Sequence, residues 1–188
     1  MNLRNLLIIA SFGVVCCAFA NDDASTVSPQ RKPSKTWWGL EVGVYVPTSA
    51  ELRDQFNGSM LRVGVAPMTK KFDDNWKVAP DLNFLVAEQD NSRLILVPAT
   101  IGVSKGFSNG GSKTYISAGT GPAYYDYRLF RGVNEFSDRT FGWNIHMEVG
   151  ILLTERLAIQ GRYDHYSKKD GFDFSGWSIT GNFAIFKW

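Results

Sequence analysis

Two histidines and two cysteines are the whole stock of residues able to bind a soft metal or to drive a strong nucleophile, so the search for chemistry is short. His165 and Ser167 stand two apart, a spacing that in an extended chain puts both side chains on one face, where the imidazole could take the proton of a serine nucleophile. His146 precedes Glu148 by the same interval. That pair suits acid/base work or half of a metal site, but two ligands do not complete a coordination sphere, and the couple reads as a hydrogen-bonded interior pair. Cys16 and Cys17 both fall near the N-terminus, which leaves the rest of the chain without a disulfide, a thiolate nucleophile or a thiolate ligand. Glycine-rich phosphate loops, zinc-protease helices and EF-hand loops are absent, so no metal and no cofactor are expected.

The elements that position these residues come from a chain of 188 residues that is 44% apolar and 14% aromatic, a composition that excludes disorder and fits one domain. A net charge of +2 without any block of like charges gives no case for nucleic acid. Residues 1–20 read as a signal peptide: Arg4 is the basic start, Leu6 to Val15 the apolar stretch, and Ala18-Phe19-Ala20 the small-x-small cleavage site. A lipoprotein would acylate Cys16 or Cys17, but Val15 and Cys16 stand where a small residue is wanted. Residues 21–36, rich in Ser, Pro, Asp and Lys, are expected to form a flexible periplasmic tether, and residues 37–188 the folded domain.

From Trp37 onward the dominant period is two, the mark of strands with unlike faces. Trp38, Leu40, Val42, Val44 and Val46 alternate with Gly39, Glu41, Gly43 and Tyr45. The alternation recurs over Leu61–Val65, Trp76–Val86, Arg93–Phe107, Thr114–Leu129, Phe141–Ile151, Leu157–Asp164 and Gly176–Trp188, giving eight expected strands. Thr154 to Arg156 makes a tight turn and Phe107 to Ser112 a glycine-rich hairpin loop. Thr48–Gly58, Phe130–Arg139 and Lys168–Ser175 are long polar connections at the opposite end, with a helical turn expected near Ser49–Phe56.

Eight strands close into a barrel just wide enough for side chains to fill it, apolar inside if soluble and apolar outside if in a membrane. The small face carries Glu41, Arg62, Lys77, Asp81, His146, Glu148, Gln160, Arg162 and Asp164 among glycines, which suits a lumen of mutually neutralised, plugging charges. The large face is Leu, Val and Ile, with Trp38, Trp76, Tyr124, Trp143, Tyr163 and Trp177 toward strand ends as an interfacial girdle requires. The expected fold is all-β: an eight-stranded antiparallel up-and-down transmembrane barrel. A soluble secreted ligand-binding barrel explains the alternation as well and stands as an alternative.

The signal peptide, the eight alternating strands, the segments LVPATIGVSKGF and YISAGTGPAYY and the aromatic C-terminus together resemble small bacterial outer-membrane barrels of the OmpW/OmpX type, over Trp37 to Trp188. The resemblance implies short periplasmic turns and long outer loops. It also implies contact with outer-membrane lipid and lipopolysaccharide, and a last strand, with Phe186 and Trp188, read by the barrel assembly machinery. Ile179, Phe183 and Ile185 share one parity and Phe186 and Trp188 the other, which leaves that strand's register open. His165-Tyr166-Ser167 resembles part of the His-x-Ser motif of outer-membrane lipid A deacylases. That family continues with Asn-Ala where Lys168-Lys169 stand here, and the place of its orienting Glu is taken by Ile179, with Asp170 or Asp173 as substitutes. The expectation is a non-enzymatic outer-membrane barrel with a structural, adhesive or small-apolar-solute role; the alternative is a deacylase using His165 and Ser167.

Overall fold

The computed structural model describes residues 36–109 and 111–187; the expected signal peptide, the tether up to Lys35 and Trp188 lie outside the described residues. Eight strands follow in order: β1 (Trp37–Pro47), β2 (Met60–Ala66), β3 (Lys77–Gln89), β4 (Ser92–Asn109), β5 (Ser112–Arg131), β6 (Asn134–Thr154), β7 (Leu157–Tyr166) and β8 (Gly176–Lys187). Each pairs antiparallel with its chain neighbours, and β1 pairs with β8, so the sheet is a closed barrel without an edge through its middle. Two short helices interrupt the connections, α1 (Ala50–Gln55) between β1 and β2 and α2 (Met68–Lys71) between β2 and β3.

Alternation sorts the side chains as the two-residue period requires. Val44, Leu61, Val78, Ile101, Met147 and Ile179 stand outward and exposed, Ile179 at 70%, while Glu41, Arg62 and Asp164 on the other parity are fully buried. An apolar exterior around a charged interior is the reverse of a soluble barrel, and it exceeds the apolar patches soluble monomers expose. No helix among the described residues is long and apolar enough to cross a membrane.

The interior is layered. At the end where β1 begins and β8 finishes, Met68, Phe72, Tyr115 and Ala158 pack together. Charges fill the middle. At the opposite end Tyr45, Leu52, Leu94, Tyr125, Tyr166, Phe172 and Phe174 form an apolar and aromatic cap, so the polar lumen expected from the sequence is one layer of three.

Two connections and the last strand differ from expectation. Phe130–Arg139 is not a loop: β5 and β6 run on to Arg131 and Asn134 and turn on Gly132 and Val133, with Gly132 at φ 62 supplying the left-handed turn. Trp76 precedes the third strand, because residues 67–72 fold into the barrel as α2 and its flanks and the chain emerges over exposed Asp74 to Trp76 before β3 begins. The last strand changes parity through a bulge: Trp38 faces Phe186 but Gly39 faces Ala184, so Ile185 is the extra residue, and Ile185 and Phe186 both end up exposed.

Candidate functional site

The lumenal layer is built by strands that present one polar residue every second position. Arg62 of β2 donates from Nε to Asn83 Oδ1 at 3.1 Å and from Nη1 to Asp164 at 2.5 Å and Ser178 at 3.0 Å. Arg162 of β7 donates from Nε to Asp164 at 2.9 Å, pairs with Asp81 across the lumen, and lies 3.5 Å from Glu148. A second cluster gathers on Lys71, whose ammonium donates to Glu41 at 2.9 Å and Glu148 at 2.8 Å, while the Tyr115 hydroxyl meets Glu148 and lies 2.7 Å from Gln160 Oε1. Asn182 donates to Glu41 at 3.1 Å. Buried ions are tolerable only with such dense pairing, since each would otherwise cost several kcal/mol.

Of the residues assigned to this network from sequence, Glu41, Arg62, Asp81, His146, Glu148, Arg162 and Asp164 are all buried. Lys77 is not among them: its side chain is half exposed and pairs with Asp73 at 3.4 Å, because β3 starts there at the barrel's end. Lys71 takes the place expected for Lys77. No strand alternation marks Lys71, which sits in a short polar connection, whereas Asn83, Tyr115 and Asn182 lie on the small-face parity and were legible there. His146 Nδ1 has no hydrogen-bond partner among the described residues, and His146 does not pair with Glu148. A cavity of about 10 Å³, room for one water, lies beside it among Lys71, Asp81, Ser104 and Ser117. Among the described residues no three His, Cys, Asp or Glu are placed to hold a metal.

The far rim holds the other candidate pair, and the structure does not join it. His165 is exposed at the end of β7 with Nδ1 3.1 Å from Ser175 Oγ. Strand alternation ends at Tyr166, and Ser167 turns its hydroxyl away, accepting the Trp143 N–H at 3.0 Å with the Tyr125 hydroxyl 3.2 Å off. Gly142 makes this possible, since a Cβ there would come within 2.2 Å of Ser167 Oγ. Neither substitute for the missing Glu hydrogen-bonds to His165: Asp170 accepts from the Tyr127 hydroxyl at 2.6 Å and Asp173 from the Ser175 N–H at 3.0 Å. Ile179 stands on the outer face. Lys168 pairs with Asp173 at 3.7 Å, and Lys169 donates to the Phe141 carbonyl at 2.8 Å.

The connections at this end are tied into one cap. Arg131 clamps Glu51 of α1 with bonds of 2.8 and 3.1 Å and stacks 4.6 Å from the Phe172 ring. Gln55 Oε1 accepts the Phe130 N–H at 2.9 Å and the Ser92 hydroxyl at 3.2 Å.

The profile of the family described as outer membrane protein beta-barrel domain matches residues 10–183 of the chain that forms this closed, eight-stranded sheet. The chain belongs to that family. Solved outer-membrane barrels similar to it include the outer membrane enzyme PagL, 13% identical, covering 78% of this chain and 99% of that one with a TM-score of 0.54. Ail, the attachment invasion locus protein of Yersinia pestis, is 12% identical, covering 80% of this chain and 99% of Ail, at 0.51. Neisserial surface protein A is 15% identical, covering 80% and 97%, at 0.50. At these identities the likeness is one of fold. No curated protein matches the chain in sequence.

In this outer-membrane barrel five of the six aromatic residues singled out at strand ends fall on the outward parity, and Trp76 stands exposed just before β3. Trp38 stacks on Phe186 at 6.1 Å at one end, where Trp76 is also exposed. Toward the other end Tyr163 packs on Trp177 at 4.7 Å, Tyr124 on Phe141 at 5.4 Å, and Trp143 is exposed between them.

Proposed function

We propose that this protein is a non-conducting, non-enzymatic barrel that holds a stiff set of loops above the outer membrane in a structural or adhesive role. The observation that carries the reading is the blocked lumen: a layer of buried ion pairs, with a cavity of about 10 Å³ beside it, sits between two packed levels. A packed lumen favours display at the surface over passage of small apolar solutes. The outward valines, leucines and isoleucines would meet hydrocarbon, Trp38 and Trp76 one interface, and Tyr124, Trp143, Tyr163 and Trp177 the other, beside lipopolysaccharide. Phe186, stacked on Trp38, and Trp188 would be presented to the assembly machinery. Against an enzyme stands the rim geometry, in which His165 and Ser167 are each engaged elsewhere.

The test is planar-bilayer recording of the refolded full chain. The expected result is a baseline without channel steps; a stable conductance of porin size would overturn the closed-lumen reading.

A further inference from the structure

One charge stands on a face of the wall otherwise free of charge. Between the level of Tyr124, Trp143 and Tyr163 and that of Trp38 and Phe107, Lys105 of β4 is the one Lys, Arg, Asp or Glu on the outward parity of the strands among the described residues. Val103 and Phe107, its neighbours on that parity, are exposed. Ser104 pairs with Lys77, so Trp76 comes level with Lys105 on one side, and Ile116 of β5 faces it on the other. The ammonium lies 5.8 Å from the centre of the Trp76 ring and 5.7 Å from that of Phe107. Lys105 is thereby held at the aromatic level.

No carboxylate neutralises it. Of the acidic residues in the adjoining turn, Asp73 pairs with Lys77 at 3.4 Å and Asp74 accepts from the Ser108 hydroxyl at 3.1 Å, and Lys105 has no ion pair or hydrogen bond among the described residues. Aromatic rings attract an ammonium but cancel none of its charge, and they do not serve its three N–H groups as oxygen acceptors do. A cation on the lipid side of a barrel wall is costly toward the bilayer centre and tolerated near the headgroups. What complements such a site is an anion rich in oxygen acceptors that arrives from the membrane side and is otherwise apolar. Val78, Val103 and Ile116, exposed on the same face, continue the surface from Lys105 toward the middle of the wall.

We propose that Lys105, flanked by Trp76 and Phe107, binds the phosphodiester of an anionic glycerophospholipid in the leaflet opposite the lipopolysaccharide. The ammonium and the Trp76 indole N–H donate to the phosphate oxygens, while the acyl chains run along Val78, Val103 and Ile116. The proposal deepens the membrane placement in the reading above and rests on it.

The probe is dioleoylphosphatidylglycerol, titrated onto the refolded full chain in detergent and counted by native mass spectrometry. The first bound lipid should persist in excess inorganic phosphate and outcompete phosphatidylcholine, whose phosphodiester carries its own cation. Lys105→Gln should weaken it about fivefold and Lys105→Arg should keep it, with heat-dependent gel mobility retained in both. Lys113→Gln removes an equal charge from the same end of the barrel and should leave binding unchanged. Should Lys105→Gln not fold, the parent chain supplies the answer: bound phosphatidylglycerol should shield the Lys105 amine from acetylation, and phosphatidylcholine should not. Displacement by inorganic phosphate alone, equal affinity for phosphatidylcholine, an equal loss in Lys113→Gln, unchanged affinity in folded Lys105→Gln, or an unshielded Lys105 amine each overturns the proposal. The bilayer recording fails or succeeds separately, since a conducting lumen leaves the outer wall intact.

Discussion

The Lys71 ammonium stands 2.8 Å from the Glu148 carboxylate and 2.9 Å from that of Glu41, so one of the lumen's cations comes from a connection that folds inward and not from the barrel wall. Lys71→Met should destabilise the barrel by about 3–5 kcal/mol, because two buried carboxylates lose their shared partner. Urea unfolding in detergent measures the loss. The same substitution should raise the thiol reactivity of a Met68→Cys reporter, since α2 then loses its main polar hold; unchanged reactivity would show that packing around Phe72 holds α2 alone.

Arg162 serves Asp81, Glu148 and Asp164, and Arg162→Leu leaves Asp81 without its arginine partner. The temperature at which the folded band disappears on unheated gels should fall well below that of the parent, by an amount set by a loss of about 3–5 kcal/mol. Equal melting of parent and variant would remove Arg162 from the lumenal network.

Asp173, in the outer loop after β7, offers a pH test. Burial raises its carboxyl, but hydrogen bonds from Ser175 and the charge of Lys168 outweigh that, and the net shift is downward. A carboxyl lowered on folding stabilises fully above its unfolded value, near about 4, and loses that contribution as pH falls through the lower folded value. The loop Ser167–Ser175 should therefore keep its amide protection at pH 5 and loosen only below the usual carboxylate range. Asp173→Asn should show at neutral pH the looser loop that the parent shows in acid.

Ser167→Ala separates the two readings of the rim. The hydroxyl accepts the Trp143 N–H, so its loss should cost about 1 kcal/mol of stability and leave lipid A acylation unchanged in cells producing the variant. A change in acylation that depends on Ser167 would make the protein a deacylase.

Much of this was legible because a period of two is the most direct message a strand can carry. Glu41, Arg62, Asp81, Glu148, Arg162 and Asp164 declared their face by parity, and the closed barrel places them together. Lys71 could not be read, since a residue in a turn has no parity and only the fold shows that the turn enters the lumen. Phe130–Arg139 reads as a loop because both faces of the hairpin stand beyond the barrel wall there, exposed or half-exposed, and no burial contrast shapes the sequence. Phe186 seemed out of register because one bulged residue, Ile185, resets the alternation near the chain's end.

The seam between β1 and β8 runs from Trp37 opposite Lys187 to Pro47 opposite Gly176, joining the first strand to the last. Until β8 arrives the sheet keeps two open margins, and Glu41 waits for Asn182 from 141 positions away. Such distant pairing is slow and leaves intermediates prone to clumping. Folding is therefore all-or-none in time as well as in shape: a chain cut before Gly176 loses its pairings to both β1 and β7 and has no way to complete the ring, and the cell must keep the growing polypeptide apart from its copies until its final strand is delivered.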